Sequence, residues 1–209
     1  MTNDVFSLEE RIFEIENKTA NKKNLSDKIL FKEDIEQIIN YTENFRDKAL
    51  ISLLWETGAR ISEIYNLKVG DFEKGNHGKI VTIEGLTGKR RLPLFWSISW
   101  LENWLSEHPK NNNPDAPLWY DTEKKDIDEN GKITYKYIRK MIQKAAEKAS
   151  IDKFTNVNHF RQSRAAYLAE ELTEEQMLKW FGWTEESDLS GLKEGCNNCS
   201  GCPFSCSVR

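Results

Sequence analysis

Residues 46–64 read RDKALISLLWETGARISEI, and this stretch decides the fold class of the 209-residue chain. Apolar side chains recur at helical spacing between residues 49 and 54, which predicts a buried helix. The helix is expected to end at Gly58, since glycine is common just past helix C-termini. Arg60 then opens a shorter helix through Leu67. A mainly helical domain follows from this pattern.

Other elements surround this stretch. Alternating apolar residues over 79–83 and 90–95 predict a β-hairpin, with Leu86-Thr87-Gly88-Lys89 as its basic tip. The expected fold class is therefore mainly α with a small antiparallel β-hairpin or sheet (α+β). Further helices are expected after Phe31, from Ser97 to before Pro109, from Thr134 to about Ala149, over 158–171 and over 173–181.

Charge is unevenly distributed along the chain. The total is −4, from 30 Lys and Arg against 34 Asp and Glu, which argues against a broadly basic nucleic-acid binder. Residues 132–168 nevertheless carry 9 basic and 2 acidic side chains. Within them, lysines recur every four residues and predict a cationic helix face, which suits a phosphate backbone or is simply solvated. These lysines are Lys136, Lys140, Lys144 and Lys148.

The two ends of the chain differ from its body. Residues 1–25 are expected to form a short helix and a polar linker, too few to fold alone. All four cysteines lie at the other end, and their spacing fits an iron–sulfur cluster, a zinc site or an unliganded tail. They are Cys196, Cys199, Cys202 and Cys206. With no signal peptide and no apolar run of membrane length, we expect a cytoplasmic protein.

Three separated clusters place cations at the ends of elements. They are Arg60, the triplet Lys89-Arg90-Arg91 at the hairpin, and His159 with Arg161. Singly, each has an ordinary explanation, such as an ion pair between Arg60 and Glu63. Converging guanidiniums would instead form a clamp for a phosphodiester whose charge grows in the transition state.

Four motifs then occur in a recognisable order: residues 46–64, GLTGKRR at 85–91, NHFRQSR at 158–164 and WFGW at 180–183. Through them the chain resembles the tyrosine recombinases, or phage-type integrases, in particular their archaeal branch. The resemblance covers about residues 25–190. It implies a mostly helical catalytic-like domain over residues 26–190 that acts on double-stranded DNA without a cofactor. The cysteine-rich tail, residues 191–209, follows this domain.

The resemblance also implies roles for individual residues. Arg60 and Arg161 match the two arginines that hold the scissile phosphate, with Glu63 supporting Arg60, and Trp183 matches the His/Trp position. In the family a hairpin lysine protonates the leaving oxygen and a tyrosine attacks phosphorus. Further DNA contacts are expected from Arg90, Arg91, Lys136, Lys140, Lys144 and Arg164.

The chain departs from the family pattern at several positions. The family's histidine position holds Asn158, with His159 displaced by one, and the hairpin-lysine position holds Leu86, so that Lys89 would have to substitute. No tyrosine follows Tyr167; Ser187-Asp188 runs directly into Leu189-Ser190-Gly191. The family's DNA-clamping domain, which precedes the catalytic one, is expected to be missing from residues 1–25.

Three hypotheses remain open. The favoured one is a DNA-binding protein of site-specific recombination or integration, a truncated or degenerate integrase unable to cleave DNA in cis. The second is an active recombinase subunit that receives its tyrosine in trans. The third is an interaction module that binds metal through the cysteine tail. The expected partners are double-stranded DNA and either further copies of the chain or an intact recombinase, with no membrane.

Overall fold

The computed structural model describes residues 3–17, 29–121, 127–129, 131–154 and 156–184. These residues form a mainly helical fold with one small antiparallel sheet, and no helix among them is long and apolar enough to cross a membrane. The expected fold class is confirmed. The elements are α1 (Asn3–Asn17), α2 (Lys32–Asn40), α3 (Phe45–Thr57), α4 (Ile61–Tyr65), β1 (Phe72–Lys74), β2 (Lys79–Gly85), β3 (Gly88–Leu94), α5 (Ile98–Glu107), α6 (Tyr135–Lys148), α7 (Asn158–Ala169) and α8 (Glu174–Phe181).

Helix α3 is the centre of the fold. Every residue from Ala49 to Thr57 is buried, and α2, α5 and α7 pack around it. A helix that is apolar on nearly all sides requires such a position. Gly58 ends α3 as expected, in the left-handed conformation at φ +57°. A side chain there would collide with the ring of Phe181, so glycine also permits close packing of α8.

The sheet has the order β1-β2-β3 with antiparallel pairing throughout. The hairpin is confirmed, but its turn is the two-residue Leu86-Thr87, because Gly85 pairs directly with Gly88. The short strand β1 was not predicted, since three residues carry too little periodicity to detect. Buried side chains on one face hold the sheet against α3 and α4; they include Val81, Ile83, Leu92 and Leu94.

The predicted helix ends are largely correct. Thr134 and Thr173 accept backbone hydrogen bonds as N-caps of α6 and α8. Two helices are shorter than expected, since α4 ends at Tyr65 rather than Leu67 and α7 ends at Ala169. After α4, the carbonyl of Leu67 accepts the N–H of Leu118; after α7, the N–H groups of Glu171 and Leu172 bond back to the carbonyl of Leu168 in a turn.

Helix α1 packs in the main core. Leu8, Ile12 and Ile15 are buried there, and the Phe13 ring stacks on His77 at 4.4 Å. Sequence predicted a helix in this region but not its docking. The expected linker after α1 and the tail 191–209 lie outside the described residues, so their predictions stay untested.

Replacing Ile12 by Ala should reduce the free energy of unfolding by about 2–5 kcal/mol, because a fully buried side chain leaves a cavity. Chemical denaturation of the full chain measures this loss. Glu14→Ala is the matched control on the exposed side of α1 and should cost under about 1 kcal/mol. Equal small losses for both variants would contradict the docking of α1 in the core.

Candidate functional site

Arg161 lies where the end of α3, the start of α7 and the end of α8 meet. It is 8% exposed, and its Nη1 donates to the carbonyl oxygen of Gly58 at 2.8 Å. Its Nη2 donates to the carbonyl oxygen of Phe181, also at 2.8 Å. A guanidinium has five N–H donors, so two backbone anchors orient the group and leave other donors for an anion.

Arg60 and Glu63 form the opposite side of this site. The Glu63 carboxylate accepts the backbone N–H of Arg60 at 2.7 Å and so caps α4. The Arg60 side chain is 38% exposed, with its Nη1 3.4 Å from Glu63 Oε1. One arginine is therefore anchored in the interior and the other is partly open to solvent.

Arg90 supports the site from the hairpin. Its two terminal nitrogens donate to the two carboxylate oxygens of Glu63 at 3.0 and 2.8 Å, and its Nε donates to the carbonyl of Trp180. This engagement argues against the DNA contact expected of Arg90. The alternation of β3 contained the signal, because Arg90 shares its face with the buried Leu92 and Leu94.

Two glycines make room for the ion pair between Arg90 and Glu63. A side chain at Gly85 would collide with the carboxylate of Glu63, and one at Gly182 would press on Arg90 and Thr87. The hydroxyl of Thr87 donates to the carbonyl of Gly182 at 3.0 Å. The hairpin tip is thus fixed to the end of α8.

The site carries excess positive charge. Arg60, Arg90 and Arg161 surround the single carboxylate Glu63. Burial lowers the pKa of the Arg161 guanidinium, and the nearby Arg60 and Arg90 lower it further, while Glu63 opposes them. An anion bound between Arg60 and Arg161 would relieve this repulsion.

Aromatic rings close the site beside Arg161. Its guanidinium carbon lies 5.1 Å from the ring centre of Phe181 and 5.5 Å from that of Trp183. These two rings stack on each other at 4.6 Å, and Trp183 is 8% exposed. The structure thus brings Trp183 to the arginine, as the motif order predicted.

Lys89 and His159 are placed less favourably. Lys89 neighbours Arg90 on β3 and so points to the opposite face of the sheet, where its side chain is 68% exposed and pairs with Glu84 at 3.7 Å. The structure does not bring it to the arginine cluster. His159 is buried on the first turn of α7 with its ring 6.4 Å from that of Phe154, which fits a packed residue.

The other residues expected to contact DNA divide into arginines that pair with carboxylates and lysines that are exposed on α6. Arg164 is 1% exposed, donates from Nε to the carbonyl of Glu56 and pairs with Glu16 at 2.7 Å. The expectation for Arg164 was wrong, because a guanidinium buried in this way cannot reach a duplex. Arg91 is 44% exposed but pairs with Glu73. The lysines Lys136, Lys140 and Lys144 are exposed on α6, as predicted.

The lysines of α6 follow one another along an exposed face of the helix. Their helix starts beside α4, where the rings of Tyr65 and Tyr135 meet at 6.0 Å. Towards its other end, Lys140, Lys144 and Lys148 line a cleft of about 270 Å³ against the loop between α2 and α3.

No metal centre is found within the described parts of the chain. There, no group of three or more His, Cys, Asp or Glu residues is arranged to hold an ion. The four cysteines expected as ligands lie outside the described residues.

Comparison with known proteins identifies the family. The model of the phage integrase family matches residues 28–188. The chain belongs to this family. A tyrosine recombinase of Synechococcus elongatus is 28% identical over 121 residues, covering 56% of the chain and 37% of that relative. The XerA recombinase of Pyrococcus horikoshii is 27% identical over 147 residues, covering 68% of the chain and 48% of XerA. The chain thus spans about half or less of these family members' length.

Solved structures of integrase-family proteins share the fold. A crystal structure of XerA recombinase superposes with a TM-score of 0.63 at 16% identity, covering 88% of the chain and 63% of XerA. The XerH recombinase, solved bound to its difH substrate, gives 0.61 at 21% identity, covering 77% of the chain and 48% of XerH. The structure of the lambda integrase catalytic core gives a TM-score of 0.53 at 13% identity. The match covers 74% of the chain and 94% of the lambda integrase core.

The Glu63 carboxylate should make stability depend on acid pH. Burial alone raises its pKa, but the hydrogen bonds and charge of Arg90, with the Arg60 N–H and Arg161, lower it below 4.5 overall. A carboxyl group whose pKa is lowered by folding stabilises the protein at pH values above its unfolded-state pKa. This stabilisation is lost as the pH falls through the lower pKa of the folded state. Glu63→Gln should therefore lose less unfolding free energy than the parent between about pH 7 and about pH 3.5.

Urea denaturation at the two pH values checks this. Glu73→Gln, in the exposed pair with Arg91, is the control and should keep the parent's pH dependence. A Glu63→Gln variant as acid-sensitive as the parent would show that the pair with Arg90 does not set this pKa.

Proposed function

We propose that this integrase-family domain binds double-stranded DNA in site-specific recombination, holding one backbone phosphate between Arg60 and Arg161, and does not cleave DNA by itself. The observation that carries the proposal is the arginine cluster. Three guanidiniums face one carboxylate, one of them is open to solvent, and the most buried is oriented by two backbone carbonyls. A phosphate supplies the missing negative charge.

The surface beyond the cluster supports a duplex as the ligand. The lysines of α6 start beside α4 and continue for about two turns, so that phosphates further along a duplex would meet Lys136, Lys140 and Lys144. The four-residue spacing of these cations is that of one helix face. The proposed partner is therefore an extended polyanion rather than a single small anion.

The absence of cleavage in cis is proposed from residue chemistry. No tyrosine follows Tyr167 in the 209 residues. The hairpin tip carries Leu86, which is 93% exposed and has no proton to donate, and Lys89 points to the other face of β3. Asn158 occupies the position of the family's histidine. Within these 209 residues, the groups proposed to bind phosphate are present, whereas the family's nucleophilic tyrosine and hairpin lysine have no counterpart at the matching positions.

Arg161→Ala should weaken binding of a duplex about tenfold or more, because one charge-assisted phosphate contact contributes about 2 kcal/mol. It should also reduce the slope of log affinity against log salt by about one unit. Fluorescence anisotropy over a salt series measures both quantities, with thermal unfolding to verify that the variant is folded.

Two variants sharpen this experiment. Arg11→Ala removes an equal charge from α1, away from the cluster, and should leave the affinity near that of the parent. Arg161→Lys keeps the charge but loses the planar fork, so it should bind more weakly than the parent. Equal salt slopes for the parent and Arg161→Ala would contradict the proposed phosphate contact.

The alternative of a tyrosine supplied in trans is favoured by one observation: Arg161 lies beside Trp183, and Glu63 caps the helix that begins after Arg60, so the residues proposed to bind phosphate are all present. The test mixes this chain, on nicked suicide DNA, with a recombinase that carries its tyrosine but lacks its arginines. We expect no covalent protein–DNA product. A product that disappears with Arg161→Ala would establish the trans reaction instead.

Two further proposals concern partners and the tail. On DNA, the chain would assemble with copies of itself or with an intact recombinase, in the cytoplasm. The cysteine tail remains a candidate for zinc or iron–sulfur binding, supported by its ligand spacing alone. Metal analysis after chelation separates this from an unliganded tail.

A further inference from the structure

Helix α1 carries two carboxylates that reach into the body of the protein at different points. Glu9 Oε1 accepts the backbone N–H groups of Asn76 at 2.9 Å and His77 at 3.3 Å. Glu16, about two turns further along, places its Oε1 2.7 Å from Nη2 of Arg164. The same helix is thus tied to the loop before β2 and, separately, to α7.

Arg164 links α1 to the end of α3. Its Nε donates to the carbonyl of Glu56 at 3.0 Å, and its aliphatic stem lies against Gly58, 3.2 Å from where a side chain would begin there. The Glu56 carboxylate does not serve Arg164, since its oxygens accept the backbone N–H groups of residues 95–97. Glu16 therefore supplies the carboxylate of the buried ion pair with Arg164.

The end of α3 is also where the phosphate site is anchored. Arg161 precedes Arg164 by one turn of α7 and donates to the carbonyl of Gly58, while Arg164 donates to the carbonyl of Glu56. Arg60 follows Gly58 by two residues. Movement of Arg164 would therefore change the spacing between Arg60 and Arg161.

We propose that Glu16 is a positioning residue of the phosphate site, which it controls through Arg164 without touching DNA. The inference rests on the proposed function, since the site it positions is the one between Arg60 and Arg161. A buried guanidinium without a carboxylate is strongly unfavourable. Without Glu16, Arg164 moves towards solvent, the end of α3 loosens and the two phosphate-binding arginines lose their spacing.

The test compares Glu16→Gln with Glu9→Gln in the full chain, using duplex DNA and fluorescence anisotropy. Both variants remove one negative charge from α1, which by general electrostatics raises the affinity for DNA slightly. Glu9→Gln should show this small gain. Glu16→Gln should bind DNA about fivefold more weakly than Glu9→Gln. Relative to the parent, it should lose affinity where Glu9→Gln gains it.

A second comparison separates positioning from a loss of folding. In an Arg161→Ala background, Glu16→Gln should cause no further loss of affinity, because the site it positions is already broken. Arg164→Met should reproduce the loss seen with Glu16→Gln, and adding Glu16→Gln to it should cause no further loss. Thermal unfolding of each variant fixes a temperature at which all are folded.

The outcomes distinguish this proposal from the one it rests on. Equal affinities for Glu16→Gln and Glu9→Gln, with Arg161→Ala still weakened, would overturn the role of Glu16 alone. An additive loss in the Arg161→Ala background would also overturn it. Arg161→Ala binding like the parent would overturn the phosphate site, and the role of Glu16 with it.

Discussion

The candidate site depends on one buried interaction, the two-point pairing of Glu63 with Arg90. This carboxylate caps α4 through the Arg60 N–H, holds the hairpin through Arg90 and, through Arg90 again, reaches the end of α8 at Trp180. Three separate parts of the chain therefore share one negative charge. Because a buried ion pair is costly to break on one side, the site is rigid before any ligand arrives.

The same carboxylate sets the electrostatics of the site. It offsets only part of the charge of three arginines, so the cluster keeps a net positive charge, which the proposed function assigns to an anion. On the proposed function, phosphate recognition and phosphate chemistry are separable, because guanidiniums oriented by backbone carbonyls could bind a diester without a nucleophile. Such a separation would fit the proposed role of a domain that keeps the family's fold and binds DNA through charge.

The sequence predicted what depends on local patterns. The apolar run of α3, its end at Gly58, the caps at Thr134 and Thr173 and the hairpin all follow from near neighbours along the chain. The placements of Arg164 and α1 do not, because their partners are far away in sequence: Glu16 pairs with Arg164 across the core. Lys89 was expected to stand in for the hairpin lysine and Arg90 to contact DNA, whereas strand alternation sends Arg90 inward to Glu63 and Lys89 outward to Glu84.

Gly58 shows how closely folding and recognition are joined. Its N–H closes the last turn of α3 by donating to the carbonyl of Leu54, and its carbonyl accepts a hydrogen bond from Arg161. Local opening of that turn and release of Arg161 are consequently one event. The amide protons at this end of α3 should thus exchange with solvent at rates that report how often the anchor of Arg161 opens.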